Sequence, residues 1–146
     1  MDDPYDLQRF VDAHEQAYSS AIAEIRAGRK RSHWMWFIFP QFAGLGSSAM
    51  SQRYAIRSSQ EAKAYLLHPQ LGERLIACAE SLLALHGLTC QQIFGAPDDM
   101  KLRSCATLFA QVTPANSVFE QLLDKYFGGA RDEQTLQLMR SDAPAG

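Results

Sequence analysis

The sequence contains few of the residues that mark metal, disulfide and membrane proteins. Its three cysteines, Cys78, Cys90 and Cys105, are widely spaced without a CxxC pair, which favours free thiols in a reducing compartment. The four histidines form no HxxxH pair, so we predict neither a metal site nor a bound cofactor. The longest hydrophobic run, residues 34–39, is much shorter than the roughly 20 residues of a membrane helix. Since the acidic start also lacks a signal-peptide pattern, we expect a cytoplasmic protein that stays outside membranes.

Length and composition are those of one globular domain. The chain has 146 residues, of which 47% are hydrophobic and 21% charged, so its core needs no disulfide or metal to fold. We expect a single domain over residues 1–140 and a flexible tail over residues 141–146. The net charge of −2, from 14 basic and 16 acidic residues, argues against binding bulk nucleic acid.

Helical periodicity dominates the sequence, and the alternation typical of strands is nearly absent. A stripe of residues spaced three or four apart predicts a first helix that faces the core, with Asp6 as its N-cap and Gly28 as its stop. Its members are Leu7, Phe10, His14, Ala17, Ala21 and Ile25. Similar patterns predict a mainly α fold, a single compact domain of about six to eight helices.

Polar residues and prolines mark where the later helices begin. Pro69 suits the first position of a helix that reaches His86. The other side chains suited to N-caps are Ser47 or Ser48, Thr89, Asp98 or Asp99, Asn116 or Ser117, and Asp132.

An aromatic segment, residues 34–39, is expected to be buried. Pro40 stops it, and periodicity does not separate a buried strand from a buried helical turn over so few residues. Residues 41–48 then read as a loop, because glycine and serine alternate with apolar residues there.

Charge is distributed unevenly along the chain. Six basic residues and no acidic one lie between Ile25 and Gln60, so the other residues hold eight of the basic and all 16 acidic side chains. The six are Arg26, Arg29, Lys30, Arg31, Arg53 and Arg57. Because both tryptophans and a Gly-Leu-Gly-Ser-Ser loop share this window, we expect a pocket for a small anionic, ring-bearing molecule.

The candidate ligand-binding residues of this pocket supply cations, aromatic faces, backbone amides and an amide side chain. They are Arg29, Arg31, Trp34, Trp36, Gln41, Gly44, Gly46, Ser47, Ser48 and Tyr54. The alternative is that the cations form a solvated helix cap and that at least one tryptophan packs in the core.

A second polar cluster, residues 98–103, carries the candidate catalytic groups. Its aspartates suit helix caps, but Lys101 would face the positive end of the helix dipole. We therefore expect Lys101 to have a partner, either an acid or an anionic ligand. Asp98 and Lys101, with His33 as an alternative acid–base group, are the candidate catalytic residues.

The motifs of the chain resemble those of DUF1810, a bacterial family of unknown function. The matching residues are His33–Gln41, Gly44–Ser48, Tyr54–Ile56, Glu61-Ala62, Tyr65-Leu66, His68-Pro69, Leu71-Gly72, Phe94-Gly95, Asp98, Lys101-Leu102, Ser104, Thr107–Phe109, Asp132 and Thr135-Leu136. The resemblance covers residues 5–139 and implies a compact, mostly helical fold without an established activity.

Residues 98–129 are also similar to the C-terminal half of the NADAR (NAD- and ADP-ribose-associated) domains, some of which remove ADP-ribose from guanine in nucleic acid. That similarity implies that Lys101 matches a lysine at the start of a helix. It also implies an ADP-ribose-like ligand and an N-glycosidase-type hydrolase. The chain departs from that pattern because it lacks a C-terminal segment rich in tryptophan and glycine.

Three functions remain open on the sequence. The first is the pocket protein described above, with or without hydrolase activity. The second is a non-enzymatic module whose basic face binds a protein or RNA. The third is that the motif is purely structural, and that the aromatic segment forms the central buried element of the core.

Overall fold

A computed structural model describes residues 2–142, and within them the chain forms helices and a single isolated bridge between extended residues. The helices are α1 (Gln8–Arg26), α2 (Met35–Ile38), α3 (Ala49–Arg53), α4 (Ser59–Leu67), α5 (Leu71–Leu83), α6 (Cys90–Phe94), α7 (Asp98–Ala110), α8 (Val118–Phe127) and α9 (Glu133–Asp142). The predicted mainly helical domain is confirmed, with nine helices in the described range. None of these helices has the length and apolar character needed to cross a membrane.

The tail expected over residues 141–146 begins inside a helix. Helix α9 continues through Ser141 and Asp142, while residues 143–146 lie outside the described range.

Serine and threonine side chains cap several helices as expected. Ser48 accepts a hydrogen bond from the backbone N–H of Ser51, and Ser117 caps α8 in the same way. Thr89 and Gln92 form a reciprocal capping box at α6. These short helices therefore begin where local side-chain chemistry predicts.

Two predicted aspartate caps are wrong. Asp6 adopts a positive φ of 51° before α1, and the carboxylate of Asp3 instead accepts hydrogen bonds from the N–H groups of Leu7 and Gln8. Asp98 lies inside α7, where its carboxylate binds lysines and leaves the helix without a side-chain cap. At α1 another nearby aspartate takes the role of Asp6, whereas at α7 ion pairs occupy the carboxylate of Asp98.

Helix α5 is shorter than predicted at both ends. It begins at Leu71 rather than at Pro69, and Nδ1 of His68 accepts hydrogen bonds from the N–H groups of Gln70 and Leu71. It ends at Leu83, before His86. The ammonium of Lys125 donates a hydrogen bond to the carbonyl of Leu83 and so satisfies the end of the helix.

The aromatic segment forms one helical turn, α2, which decides between the two structures that its sequence allowed. Trp34, Met35, Ile38 and Phe39 are buried in the core, with exposed fractions of 2% or less. Trp36 is only half-buried, because a single turn points neighbouring residues in different directions.

The core lies between α7 and α5. Helix α7 is buried at Leu102 and over residues 104–110, and it packs against α6, α8 and α9. Helix α5 packs against α1, α4 and α8. Helices α4 and α5 approach closely at Gly72, where a Cβ atom would lie 1.9 Å from the carbonyl oxygen of Leu66. The start of α7 reaches the surface beside α2, and this placement forms the site described below.

A buried arginine holds the segment between α2 and α4. The guanidinium of Arg9 donates a hydrogen bond to a carboxylate oxygen of Glu61 at 2.7 Å. It also donates to four backbone carbonyls, those of Tyr5, Asp6, Arg53 and Ala55. Phe42 and Ile56 form the isolated parallel bridge, so the two ends of residues 42–56 are tied together.

Candidate functional site

Six of the thirteen predicted site residues line a cleft of about 430 Å³ between α2, the loop over residues 41–48, the start of α7 and the start of α9. They are Trp36, Gln41, Gly46, Ser47, Ser48 and Lys101. All the residues that line the cleft come from four separate parts of the sequence. They are Trp36, Gln41, Leu45, Gly46, Ser47, Ser48, Ser51, Pro97, Met100, Lys101, Arg103, Ser104, Asp132 and Gln134. We call this space the cation cleft.

Trp36 and Lys101 form one wall of the cation cleft. The ammonium nitrogen of Lys101 lies 5.5 Å from the centroid of the Trp36 ring. A cation at this distance is attracted by the negative face of the indole. The pair therefore presents a positive charge and an aromatic surface side by side.

Asp98 orients Lys101 from outside the cleft. Its carboxylate lies between two ammonium groups, 3.0 Å from Lys30 and 3.2 Å from Lys101. The ammonium of Lys30 in turn lies 5.1 Å from the ring centroid of Trp34 and donates a hydrogen bond to the carbonyl of Ser32. Lys101 thus has the acidic partner that its position near the start of a helix led us to expect.

Arg103 brings a second cation to the cleft and retains unused donors. Its guanidinium lies 3.7 Å from the carboxylate of Asp132, which is too long for a good hydrogen bond. Nε of Arg103 is buried and has no hydrogen-bond partner among residues 2–142. Asp132 is better satisfied, because it accepts hydrogen bonds from the hydroxyls of Ser104 and Thr135. Arg103 is therefore the less fully paired member of this ion pair, and it lines the cleft.

The loop over residues 41–48 forms a polar wall whose backbone is held in place. The carbonyl of Gln41 accepts a hydrogen bond from the N–H of Ile56 at 2.9 Å. Gly46 passes so close to α3 that a Cβ atom there would lie 2.5 Å from the hydroxyl of Ser51. Ser48 caps α3, and the carbonyl of Ser47 accepts from the side chain of Gln52. The loop therefore presents its serines to the cleft from a fixed position.

Other predicted residues lie elsewhere. Trp34 is 1% exposed, and its indole N–H donates a hydrogen bond to the carboxylate of Glu24 at 2.9 Å. Arg29 and Arg31 are exposed and do not belong to the lining of the cation cleft. Gly44 is also outside that lining and packs toward the side chain of Leu138. The cations of the cleft thus come from α7 and not from the basic window of the sequence.

Glu24 explains why the segment that leads into α2 turns inward. Partial burial raises the pKa of its carboxyl, but hydrogen bonds from Ser32, Arg31 and Trp34 outweigh burial and lower the pKa to about 2. An ionised carboxylate therefore ties the end of the basic run to the buried tryptophan.

His33 and Tyr54 line a different space, a groove of about 490 Å³ between α1 and α2. The other residues that line it are Asp12, Ala13, Gln16, Ala17, Ser20, Ser32, Trp34 and Phe37. We call it the α1 groove. Its lining contains no lysine or arginine, so its electrostatic character differs from that of the cation cleft.

The described residues provide no evident metal centre. Across residues 2–142, no three histidine, cysteine, aspartate or glutamate side chains come together as metal ligands would. The chemistry available in the cation cleft is recognition by Lys101, Arg103, an indole face and hydroxyl groups.

Sequence reasoning missed Arg103 and Asp132 as residues of the cleft. Arg103 follows Lys101 by two positions, and the helical spacing alone did not show that both reach the same space. Asp132 was visible as a helix cap, but only the packing of α9 against α7 brings it beside Arg103. No pattern within either segment specifies that contact.

Comparison with known proteins agrees with this fold. The model of a family described as "Protein of unknown function (DUF1810)" matches residues 4–139. A solved structure, that of the conserved hypothetical protein Rv1873 from Mycobacterium tuberculosis, is 52% identical to the chain. The match covers 94% of this chain and 99% of that one, with a TM-score of 0.92. No curated protein matches the chain.

Proposed function

The chain belongs to the DUF1810 family, and from that premise we propose that its cation cleft binds a small anionic, ring-bearing ligand of the nucleotide or ADP-ribose type. The observation that carries the proposal is the convergence of Trp36, Gln41, the loop serines and Lys101 on one cleft. Local folding alone would not require these residues to meet.

The cations of the cleft suit a phosphate group. Arg103 brings a planar guanidinium whose contact with Asp132 is long, and Lys101 adds a charge held in place by Asp98. Trp36 provides a face on which a sugar or base can pack beside that phosphate. The hydroxyls of Ser47 and Ser51 and the amide of Gln41 supply directional hydrogen bonds.

The alternative of a basic interaction face has less support. It requires both tryptophans to lie buried beneath exposed cations, whereas Trp36 is half-buried and lines the cleft. Lys30, one of the six cations, is directed inward to Asp98. The purely structural alternative accounts for Trp34 but does not account for the convergence of Trp36, Gln41 and Lys101 on one cleft.

Hydrolysis of an N-glycosidic bond is the extension of the proposal that involves chemistry. Such a reaction needs a carboxylate or a positioned water at the sugar carbon. Asp98 is held by Lys30 and Lys101, and Asp132 is held by Ser104 and Thr135, so both carboxylates have structural partners. We therefore propose ligand binding as the function of the cleft, and hydrolysis of the N-glycosidic bond is tested separately.

The proposal is tested by calorimetric titration with ADP-ribose and pyrophosphate, comparing the natural chain with Lys101→Met and Lys63→Met. Lys63 is an exposed lysine on α4, outside the lining of the cleft, and so serves as the matched control. We expect Lys101→Met to weaken binding about tenfold or more, since a charge-assisted contact is lost, and Lys63→Met to leave it unchanged.

Two results would contradict the proposal. One is the absence of binding by the natural chain at millimolar ADP-ribose and pyrophosphate, and the other is equal weakening by the two lysine variants. In a separate measurement, the natural chain is incubated with NAD, and chromatography of the products reports whether the N-glycosidic bond to nicotinamide is cleaved.

A further inference from the structure

The cation cleft and the α1 groove are joined by a row of aromatic rings. The ring centroids of Trp36 and Phe37 lie 5.9 Å apart, and those of Phe37 and Tyr54 lie 4.7 Å apart. Trp36 lines the cation cleft, whereas Phe37 and Tyr54 line the α1 groove. An apolar surface therefore continues from one space to the other.

A small cavity lies along this row and borders both spaces. It shares Trp36, Gln41, Gly46 and Ser51 with the cation cleft, and it shares Tyr54 with the α1 groove. Because Trp36 and Tyr54 are both half-buried, their outer surfaces are accessible between the two larger spaces. The two clefts are therefore neighbours that meet at Trp36, Phe37 and Tyr54.

The two ends differ in charge. Lys101 and Arg103 line the cation cleft. The lining of the α1 groove contains one aspartate, Asp12, and no lysine, arginine or glutamate. Gln16 and Ser20 follow Asp12 at intervals of four, which places all three on one face of α1. This face offers hydrogen-bond acceptors and hydroxyls beside the rings of Phe37 and Tyr54.

We propose that the ligand spans both spaces and is a nucleoside phosphate. This inference rests on the proposed function, because the phosphate occupies the cation cleft beside Lys101 and Arg103. The sugar passes along Trp36, and the base lies in the α1 groove against Phe37 and Tyr54. Hydrogen-bond donors on the base face Asp12 and Gln16, which gives the site a preference for bases that carry an amino group.

The experiment compares AMP with two probes that lack the base, ribose 5-phosphate and pyrophosphate, by calorimetric titration. The variant Ser20→Trp fills the α1 groove, and Ser19→Trp is its matched control. Both serines are exposed on α1, but Ser20 lines the groove and Ser19 does not. Circular dichroism and the Tm of each variant report whether it folds.

We expect AMP to bind the natural chain about tenfold more tightly than ribose 5-phosphate, since stacking of a base on aromatic side chains strengthens binding by about that factor or more. Ser20→Trp should remove that advantage for AMP and leave the binding of ribose 5-phosphate and pyrophosphate unchanged. Ser19→Trp should bind all three as the natural chain does.

The outcomes separate the two proposals. Equal affinity for AMP and ribose 5-phosphate, or AMP binding that Ser20→Trp leaves intact, overturns the spanning arrangement while the anion site stands. If AMP, ribose 5-phosphate and pyrophosphate all fail to bind the natural chain, the proposed function falls and this inference falls with it.

Discussion

Glu24 and His14 are buried or partly buried groups whose charge state matters to the segment around α2. Glu24 binds the backbone and side chains that lead into Trp34. His14 is 2% exposed, and its Nε2 lies 2.8 Å from the carbonyl oxygen of Phe37. Because a carbonyl only accepts, Nε2 must carry the proton of this hydrogen bond. Both contacts hold α2 against α1.

These two groups predict a loss of stability in acid. Burial lowers the pKa of His14 to about 4, so folding becomes less favourable as the pH falls from 6.5 toward 4 and the unfolded imidazole binds a proton. Glu24 stabilises the fold above its unfolded pKa of 4.5, and this contribution is lost as the pH falls toward 2. Urea unfolding measured between pH 7 and pH 3 should show both losses.

The variant Glu24→Gln separates the two effects. It should lower the free energy of unfolding at pH 7 by about 1.5–3 kcal/mol, because hydrogen bonds to a charged acceptor are lost. It should also make the free energy of unfolding depend less on pH below pH 4.5. The loss of stability between pH 6.5 and 4.5, which comes from His14, should remain. An unchanged acid profile would show that Glu24 is not the group responsible.

Lys101 illustrates what a local rule detects. A lysine near the positive end of a helix predicts an external partner. The structure supplies Asp98 one turn earlier and the ring of Trp36 from α2. That Lys101 has a partner was predictable from the sequence. Its contact with the ring of Trp36 depends on how α2 packs beside α7.

One buried ion pair joins α1 to α4 and holds the end of the segment that carries the loop of the cation cleft. Arg9 and Glu61 are 5% and 2% exposed, and Arg9 also binds carbonyls on both sides of the turn after α3. Glu61 accepts a further hydrogen bond from the N–H of Arg57. Removing one partner would leave a buried charge and release the end of the segment that carries the loop serines.

We therefore expect Glu61→Ala to destabilise the protein by about 3–5 kcal/mol in urea unfolding, as breaking a buried pair does. Glu80→Ala, which changes an exposed glutamate on α5, should shift the free energy of unfolding by less than about 0.5 kcal/mol. The double variant Arg9→Met with Glu61→Leu should recover only part of the loss, because no unpaired charge remains but four backbone carbonyls lose the donor that Arg9 provides. Equal effects of Glu61→Ala and Glu80→Ala would contradict this role for the pair.

Helix α2 shows where prediction from a segment ends. Residues 34–39 are apolar at nearly every position, so neither a period of 3.6 nor a period of 2 is visible. The turn is specified by its surroundings, since the core accepts Trp34, Met35, Ile38 and Phe39 and excludes Trp36. That division leaves the half-buried indole of Trp36 to line the cleft.

The packing of the whole domain determines how its cysteines behave. Cys78 and Cys105 are 0% and 1% exposed, and Cys90 is 6% exposed. Burial raises the pKa of Cys78 and of Cys90 to about 12, and it raises that of Cys105 well above its usual value. Each thiol is thus both inaccessible and protonated at neutral pH.

We expect Ellman's reagent to leave all three thiols of the folded protein unmodified at pH 8 over the time in which it labels the urea-unfolded chain. In intermediate urea, labelling should follow unfolding measured by circular dichroism, because Cys78 and Cys105 are buried in α5 and α7 and become accessible only when the packing of these helices in the core is lost. Rapid labelling of one thiol in the absence of urea would show a local opening of the core.

The amino-acid sequence alone determined the helical class and most helix starts, because spacing and caps act within a few residues. It also marked the residues of the aromatic and loop motifs. Only the tertiary structure decided that Trp34 is buried while Trp36 lines a cleft, and that Arg103 and Asp132 join that cleft. The reason is physical: a cleft is formed by side chains from separate helices, and the packing of those helices is a property of the whole core.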